Sequence, residues 1–144
     1  MEAAFPTPAE ARLVDRLRAD GDAVISLVAL DDDAIVGHVL FSRMNAPPRT
    51  LGLAPVAVSP ERQRSGVGAR LIGEGLALAR SEGWETVVVL GDPAYYRRFG
   101  FDPALTRGVV SPYAGPHLMA LGLTETAPRL TGRVDYAPAF ADLD

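Results

Sequence analysis

The sequence predicts an α/β (α+β) fold, a mixed twisted sheet with a βαβ unit at its centre. Three observations carry that expectation. A helix-period pattern opens the chain. Two apolar, β-branched runs follow it around an acidic turn. From Leu51 to Leu90 a strand, a glycine-bearing turn, an amphipathic helix and a second strand then succeed one another. Two strands joined through a helix in one sheet run parallel, with a right-handed crossover.

Between Pro8 and Asp20, Ala11, Leu13, Val14, Leu17 and Ala19 recur near helical spacing, with Arg12, Asp15, Arg16 and Arg18 mainly on the other side. This amphipathic helix ends at Gly21 and Asp22. Val24–Leu30 and Ile35–Ser42 read as a β-hairpin about Asp31, Asp32 and Asp33, a triplet that lacks the later Gly and Glu of a calcium loop and so reads as a solvated turn. A loop with Pro47 and Pro48 leads to the strand Leu51–Val58, which Ser59 and Pro60 close. Val67, Leu71, Ile72, Gly75, Leu76 and Ala79 then mark one face of a helix from about Gly66 to Glu82, stopped by Gly83.

Trp84–Leu90 is the next strand. Beyond Gly91-Asp92-Pro93, a short helix carrying Tyr95, Tyr96 and Phe99 ends at Gly100, a residue suited to a left-handed cap. His117–Leu123 and Arg133–Phe140 are expected as two further strands, paired antiparallel. There is no repeat, low-complexity segment or linker, so residues 1–144 are expected to form a single domain.

Composition narrows the function classes. With 144 residues, 48% of them hydrophobic and 22% charged, the chain is long enough to bury a core without staples. The absence of cysteine excludes a disulfide scaffold, a thiolate metal site and a cysteine nucleophile, and fits a reducing cytoplasm. No metal is expected. Glu2, Pro6 and Pro8 stand where an export signal would be basic and apolar, and no apolar run approaches the ~20 residues of a membrane helix, so a cytoplasmic protein without a membrane partner is expected. A net charge of −4 argues against a broad nucleic-acid-binding face, and all 14 basic residues are arginine.

The chemistry concentrates in Val56-Ala57-Val58-Ser59-Pro60-Glu61-Arg62-Gln63-Arg64-Ser65-Gly66-Val67-Gly68-Ala69-Arg70-Leu71. A strand delivers the chain to a turn whose glycines admit a close ligand, and the first amides of the next helix have no acceptor within that helix. Those donors and the helix dipole favour an anion, and Arg62, Arg64 and Arg70 add local positive charge. A pyrophosphate suits the site. The Gly-Lys-Ser/Thr of a P-loop is missing, and Gly66-x-Gly68 without a third glycine departs from the dinucleotide fingerprint. An isolated Gly-x-Gly would by itself signify no more than a tight strand-to-helix turn.

Gln63-x-x-Gly66-x-Gly68, after Val56-Ala57-Val58 and before an amphipathic helix, resembles motif A of the GNAT superfamily of N-acetyltransferases. Tyr95-Tyr96-Arg97-Arg98-Phe99-Gly100-Phe101 resembles that family's second signature, aromatic-Tyr-x-x-x-Gly-Phe, and residues 24–140 follow its order of elements. The resemblance implies a GNAT-like acyl-CoA N-acyltransferase fold with splayed parallel strands, and acetyl-CoA (coenzyme A) as cosubstrate. It further implies that Gln63, Arg64, Ser65, Gly66, Val67, Gly68 and Ala69 hold the pyrophosphate while Val56, Ala57 and Val58 line the pantetheine arm. Tyr96 matches the general acid, and the acceptor is a primary amine on a small molecule or peptide. Tyr95 is expected to pack, and Arg97 and Arg98 to form a solvated face.

Pro55 supports the same picture, because a proline in a central strand demands a bulge, and the family's strand bulges and splays there. The strand Leu51–Val58 carries no Glu or Asp to serve as general base. Asp92 is the nearest carboxylate and also a natural helix cap, while His38 and His117 read as structural or surface residues. The family's first strand has no counterpart before Pro8, so Val24–Leu30 is expected to expose an edge. A truncated chain, a misassigned start or a homodimer would each account for that. A non-catalytic acyl-CoA-binding or sensory module and a purely structural subunit are the alternatives to an enzyme.

Overall fold

The computed structural model describes residues 8–45, 49–63, 65–124 and 130–143. The first helix, α1 (Pro8–Ala19), buries Leu13, Val14 and Leu17, the apolar side of its period. It stops where Gly21 takes φ +77° and the amides of Gly21 and Asp22 return to the carbonyls of Arg18 and Leu17 at 3.2 and 2.9 Å. Strands β1 (Ala23–Asp31) and β2 (Ala34–Arg43) form the expected hairpin. Asp32 and Asp33 hold φ of 48° and 71° at its tip, positive values that a tight hairpin turn requires and that short polar side chains tolerate.

Strand β3 (Thr50–Val58) pairs antiparallel with β2, and α2 (Val67–Ser81) carries the chain across to β4 (Thr86–Leu90), which runs parallel to β3. The buried face of α2, Leu71, Ile72, Gly75, Leu76 and Ala79, is the face that the periodicity marks. Gly75 permits direct packing on the sheet, since a Cβ there would stand 2.2 Å from Cε1 of the buried Phe41 ring. The helix closes at Gly83, whose φ is +86°, with the Trp84 amide donating to the Ala79 carbonyl at 3.0 Å.

After β4 come α3 (Pro93–Tyr96) and a 3-10 turn over Arg97–Phe99. The short strand β5 (Gly108–Val110) follows, then β6 (Leu118–Gly122), antiparallel on β4, and β7 (Thr131–Arg133). The main sheet has the order β1-β2-β3-β4-β6, so β1 is an edge strand, and Val28, Leu30 and Ile35 at that end of the hairpin are exposed.

Strand alternation divides the core between the two faces of the sheet. Val39, Phe41, Leu51, Leu53, Val87, Val89 and Met119 meet α2 on one face. Leu40 meets α1, Ala137 and Phe140 on the other, where Val88, Leu118 and Ala120 pack with Met44, Val109, Leu130 and Val134. Each fully buried Leu, Ile, Val or Phe stabilises the fold by about 1.5–3 kcal/mol, and the α2 face holds that helix at a fixed height above the gap described below.

One expected element is corrected. Arg133–Phe140 is not a strand paired antiparallel with His117–Leu123. Only Thr131–Arg133 is extended, and it lies parallel to β5 in a separate two-stranded sheet. Two physical causes act together. Pro138 cannot donate to a ladder and instead begins a 3-10 helix, Pro138–Leu143. The outer edge of β6 is already engaged at Ala120 by Asp102, through amide-to-carbonyl bonds of 3.0 and 3.2 Å. Residues 134–136 cross instead to Asn45, where Asp135 makes a reciprocal backbone pair at 2.9 Å.

Candidate functional site

The central parallel strands part. β3 and β4 pair through Thr50–Thr86, Leu51–Val87 and Gly52–Val88 and no further, although β3 continues to Val58 against β2. β3 is buried up to Leu53 and half-buried at Ala54, Pro55, Val56 and Val58. The cause lies in the sequence. Val39 pairs with Val56 but Phe41 with Leu53, so β3 carries one residue more than β2 across Ala54–Pro55, the bulge that the proline demands. On its β4 side the strand past Gly52 presents backbone donors and acceptors to a wedge-shaped gap, where an extended chain bearing amides can complete the pairing.

The turn at the open end of the gap has the expected form. Gly66 is the N-cap of α2 in the left-handed region, with φ +90° and no side-chain cap. The first bond inside the helix is from the Arg70 amide to the Gly66 carbonyl at 3.0 Å, so the amides of Val67, Gly68 and Ala69 precede the intrahelical ladder. Gln63 folds back, its Nε2 donating to the Val58 carbonyl at 3.3 Å, and Ser65 Oγ donates to the Arg62 carbonyl. Both side chains brace the turn from within it.

Local charge differs from the sequence reading. Arg62 is ion-paired with Asp31 at the end of β1, and Arg62 and Arg70 line a cavity of about 390 Å³ together with Asp31 and Glu74, so the arginines do not stand apart from carboxylates. Arg64 lies outside the described residues. The positive character of this turn therefore rests on oriented amides and the helix dipole more than on side-chain charge.

Tyr96 stands beside the C-terminal end of β4. Its ring lies on Gly91, the residue after β4, where a Cβ would come within 2.5 Å of Tyr96 Cε2. Phe101 and Tyr95 hold it edge-on, with ring centroids at 5.8 and 5.0 Å. Burial pushes its hydroxyl above the ordinary value of 10.0, and the neighbouring Tyr95 adds to the shift, so the phenol stays protonated at neutral pH. Gly100 ends this segment in the left-handed region at φ +97°.

The residues weighed as bases have other occupations. Asp92 caps α3, accepting from the Ala94 amide at 2.9 Å. His117 is exposed and its Nδ1 lies 3.1 Å from the Gly91 carbonyl, tying the turn after β4 to the start of β6. His38 is buried, with Nε2 3.1 Å from Ser26 Oγ, which receives Arg18 Nη2 at 3.0 Å. Arg98 stacks on Tyr95, its guanidinium carbon 4.3 Å from the ring centroid.

Two residues near the gap were not singled out from the sequence for this position. The Tyr95 hydroxyl reaches across to α2, 3.5 Å from where a Gly68 Cβ would be. Tyr136 lays its ring on Gly52, the last β3 residue paired with β4. Neither is visible in a periodicity: one follows from the rotation of a four-residue helix, the other from a chain crossing after residue 133 that the strand reading missed. Among the described residues, no group of His, Cys, Asp or Glu is arranged to hold a metal ion, and no helix is long and apolar enough to cross a membrane.

A parted pair of parallel strands, a helix N-terminus with exposed amides at the open end and a half-buried tyrosine at the strand ends thus stand together in one part of the molecule. The chain belongs to the acetyltransferase (GNAT) family, whose profile matches residues 1–101. It is 42% identical over 104 residues to the uncharacterized N-acetyltransferase YhbS of Escherichia coli K12. That match takes in 69% of this chain and 62% of the relative's length. The fold agrees with the crystal structure of E. coli YhbS in complex with CoA at a TM-score of 0.85 and 35% identity, over 94% of this chain and 79% of that one. A Brucella melitensis GNAT family acetyltransferase in complex with acetyl-CoA matches at a TM-score of 0.77 and 37% identity, over 95% and 81% of the two chains.

Proposed function

We propose that this chain, as a single domain, transfers an acetyl group from acetyl-CoA to the primary amine of a small molecule or peptide. The observation that carries the reading is the parting of β3 and β4 beyond Gly52–Val88, with uncapped amides at the start of α2. Acetyl-CoA supplies an activated thioester. The amides of Val67, Gly68 and Ala69 hold its diphosphate, with Gln63, Ser65 and Gly66 shaping the turn around them, and Arg64 belongs to the same loop. Val56, Ala57 and Val58 offer the free edge of β3 to the pantetheine amides, and an amide near Val56 or Val58 polarises the carbonyl.

Tyr96 is the general acid. A departing thiolate, with a pKa of about 8.5, takes a proton readily from a phenol held in its neutral form at the strand ends. The acceptor ammonium, with a pKa of about 10.4, must lose its proton first; no described carboxylate lies on the β3 edge, so water and backbone carbonyls carry it away.

The test is direct. Saturating coenzyme A should raise the melting temperature by several degrees, since a ligand at about 100 times its Kd adds about 2.7 kcal/mol. Acetyl-CoA with a panel of primary amines should then release free thiol. A melting curve indifferent to coenzyme A removes the carrier site and the reading with it.

A further inference from the structure

We infer that Tyr136 is a further residue of the transfer site, its hydroxyl meeting the acceptor amine from the face of the sheet opposite Tyr96, and that the acceptor is a compact primary amine with an apolar body. The inference rests on the transferase reading above. The Tyr136 ring occupies the place of a Gly52 side chain: a Cβ there would lie 2.8 Å from Cε1 and 2.9 Å from Cδ1. Because Gly52–Val88 is the last pair before the strands separate, the ring sits at the vertex of the gap.

Strand alternation fixes its side. Gly52 pairs with Ser42 and Val88, and Val88 packs with Met44, Val134 and Tyr136. Val87 and Val89 point the other way, into the α2 core against which Tyr96 packs. The two tyrosines therefore flank the gap from opposite faces of the sheet. Burial raises the proton affinity of the Tyr136 hydroxyl, with Tyr113 and Tyr96 adding to the effect, so it is a neutral phenol and not a base.

The hydroxyl oxygen is also buried without a hydrogen-bond partner among the described residues. A buried orphan hydroxyl costs stability that a phenylalanine in the same place would not, which is the mark of a group waiting for a ligand. Tyr136 further walls a cavity of about 140 Å³ with Ser111, Tyr113, Asp135 and Phe140. Ring centroids of Tyr113 and Phe140 lie 5.9 and 5.1 Å from that of Tyr136, giving aromatic walls that suit an apolar body or a cation. The Asp135 carboxylate at the rim is held by the exposed Arg133 at 2.8 Å.

In the step itself, Tyr136 Oη accepts a hydrogen bond from the free amine and leaves the nitrogen lone pair directed at the thioester carbon. The N–C bond forms and the C–S bond breaks. The sulfur takes the Tyr96 proton, the surplus proton on nitrogen passes to water, and Tyr96 is reprotonated from solvent.

The experiment is Tyr136→Phe beside Tyr96→Phe in the full chain, read by melting temperature without ligand, by coenzyme A affinity, and by kcat/KM over small aliphatic and arylalkyl primary amines. Tyr136→Phe should melt at or above wild type, bind coenzyme A within about twofold and lose about tenfold or more in kcat/KM for amines. A melting temperature several degrees lower would show that the hydroxyl has a structural partner, and an unchanged kcat/KM would show that it does not meet the acceptor. Either outcome overturns the inference and leaves the transferase reading standing. Wild-type protein that neither binds coenzyme A nor turns over any amine overturns both.

Discussion

The Tyr95 hydroxyl stands 3.5 Å from the point where a Cβ on Gly68 would lie, so the helix after β4 touches the first turn of α2 across the mouth of the gap. The other neighbour of that point, Val58 Cγ2, is at 3.4 Å. Both are ordinary contact distances, and a methyl group fits without moving the protein. Gly68→Ala should therefore keep or raise the melting temperature, since alanine is favoured over glycine in a helix by up to about 1 kcal/mol. The same methyl intrudes on any anion held by the amides of Val67, Gly68 and Ala69, and coenzyme A affinity should fall about tenfold or more. Undiminished affinity in calorimetry would show that the diphosphate lies elsewhere.

Tyr96→Phe should leave coenzyme A binding intact and lower kcat about a hundredfold, the scale of a positioned general acid. Burial raises the pKa of its hydroxyl above 10.0, so the acid form persists as pH rises through neutrality, and its ionisation should cause no loss of kcat between about pH 7 and 9. A wild-type alkaline limb within that range, absent from Tyr96→Phe, would contradict the assignment.

The bulge in β3 and the strand-to-helix turn were legible because Pro55 and Gly66-x-Gly68 are local signals with local consequences, a missing amide that breaks the ladder and glycines that admit a tight turn, whereas the parting of β3 from β4 was expected only from the family resemblance. The caps at Gly21, Gly83 and Gly100 were readable for the same reason. The last part of the chain was not. Val134 and Tyr136 alternate as a strand would, yet Asp135 between them pairs with Asn45 and Tyr136 packs on Gly52, both far away in sequence, and the competitor for the β6 edge is Asp102, in a loop with no strand signal. Charge at the turn was misjudged likewise, since Asp31 reaches Arg62 only once the hairpin is folded.

Tyr96 and Tyr136 both hold their protons more tightly when folded than a free tyrosine does. The unfolded chain begins to release them near pH 10 while the folded chain keeps them, so this stability is complete below about pH 10 and is lost as pH rises beyond it. Urea midpoints should be flat from about pH 8 to 9.5 and fall at higher pH, with a shallower decline in Tyr136→Phe. A decline equally steep in that variant would mean that the Tyr136 hydroxyl ionises as readily folded as unfolded.

Gly73 and Gly75 lie on the same helix and give opposite expectations. A Cβ on Gly75 would stand 2.2 and 2.6 Å from Cε1 and Cζ of Phe41, a ring with no exposure and no room to swing, while nothing lies within 4 Å of one on Gly73. Overpacking costs about 1–3 kcal/mol, more than the roughly 1 kcal/mol that alanine adds in helix propensity. Gly75→Ala should thus lower the urea midpoint and Gly73→Ala raise it. The relief open to Gly75→Ala is to lift α2 from the sheet, which carries the amides of Val67, Gly68 and Ala69 away from the β3 edge. Coenzyme A affinity should then fall with stability in Gly75→Ala and stay unchanged in Gly73→Ala. Equal affinity in both variants would show that the height of α2 over Phe41 does not set the geometry of the turn.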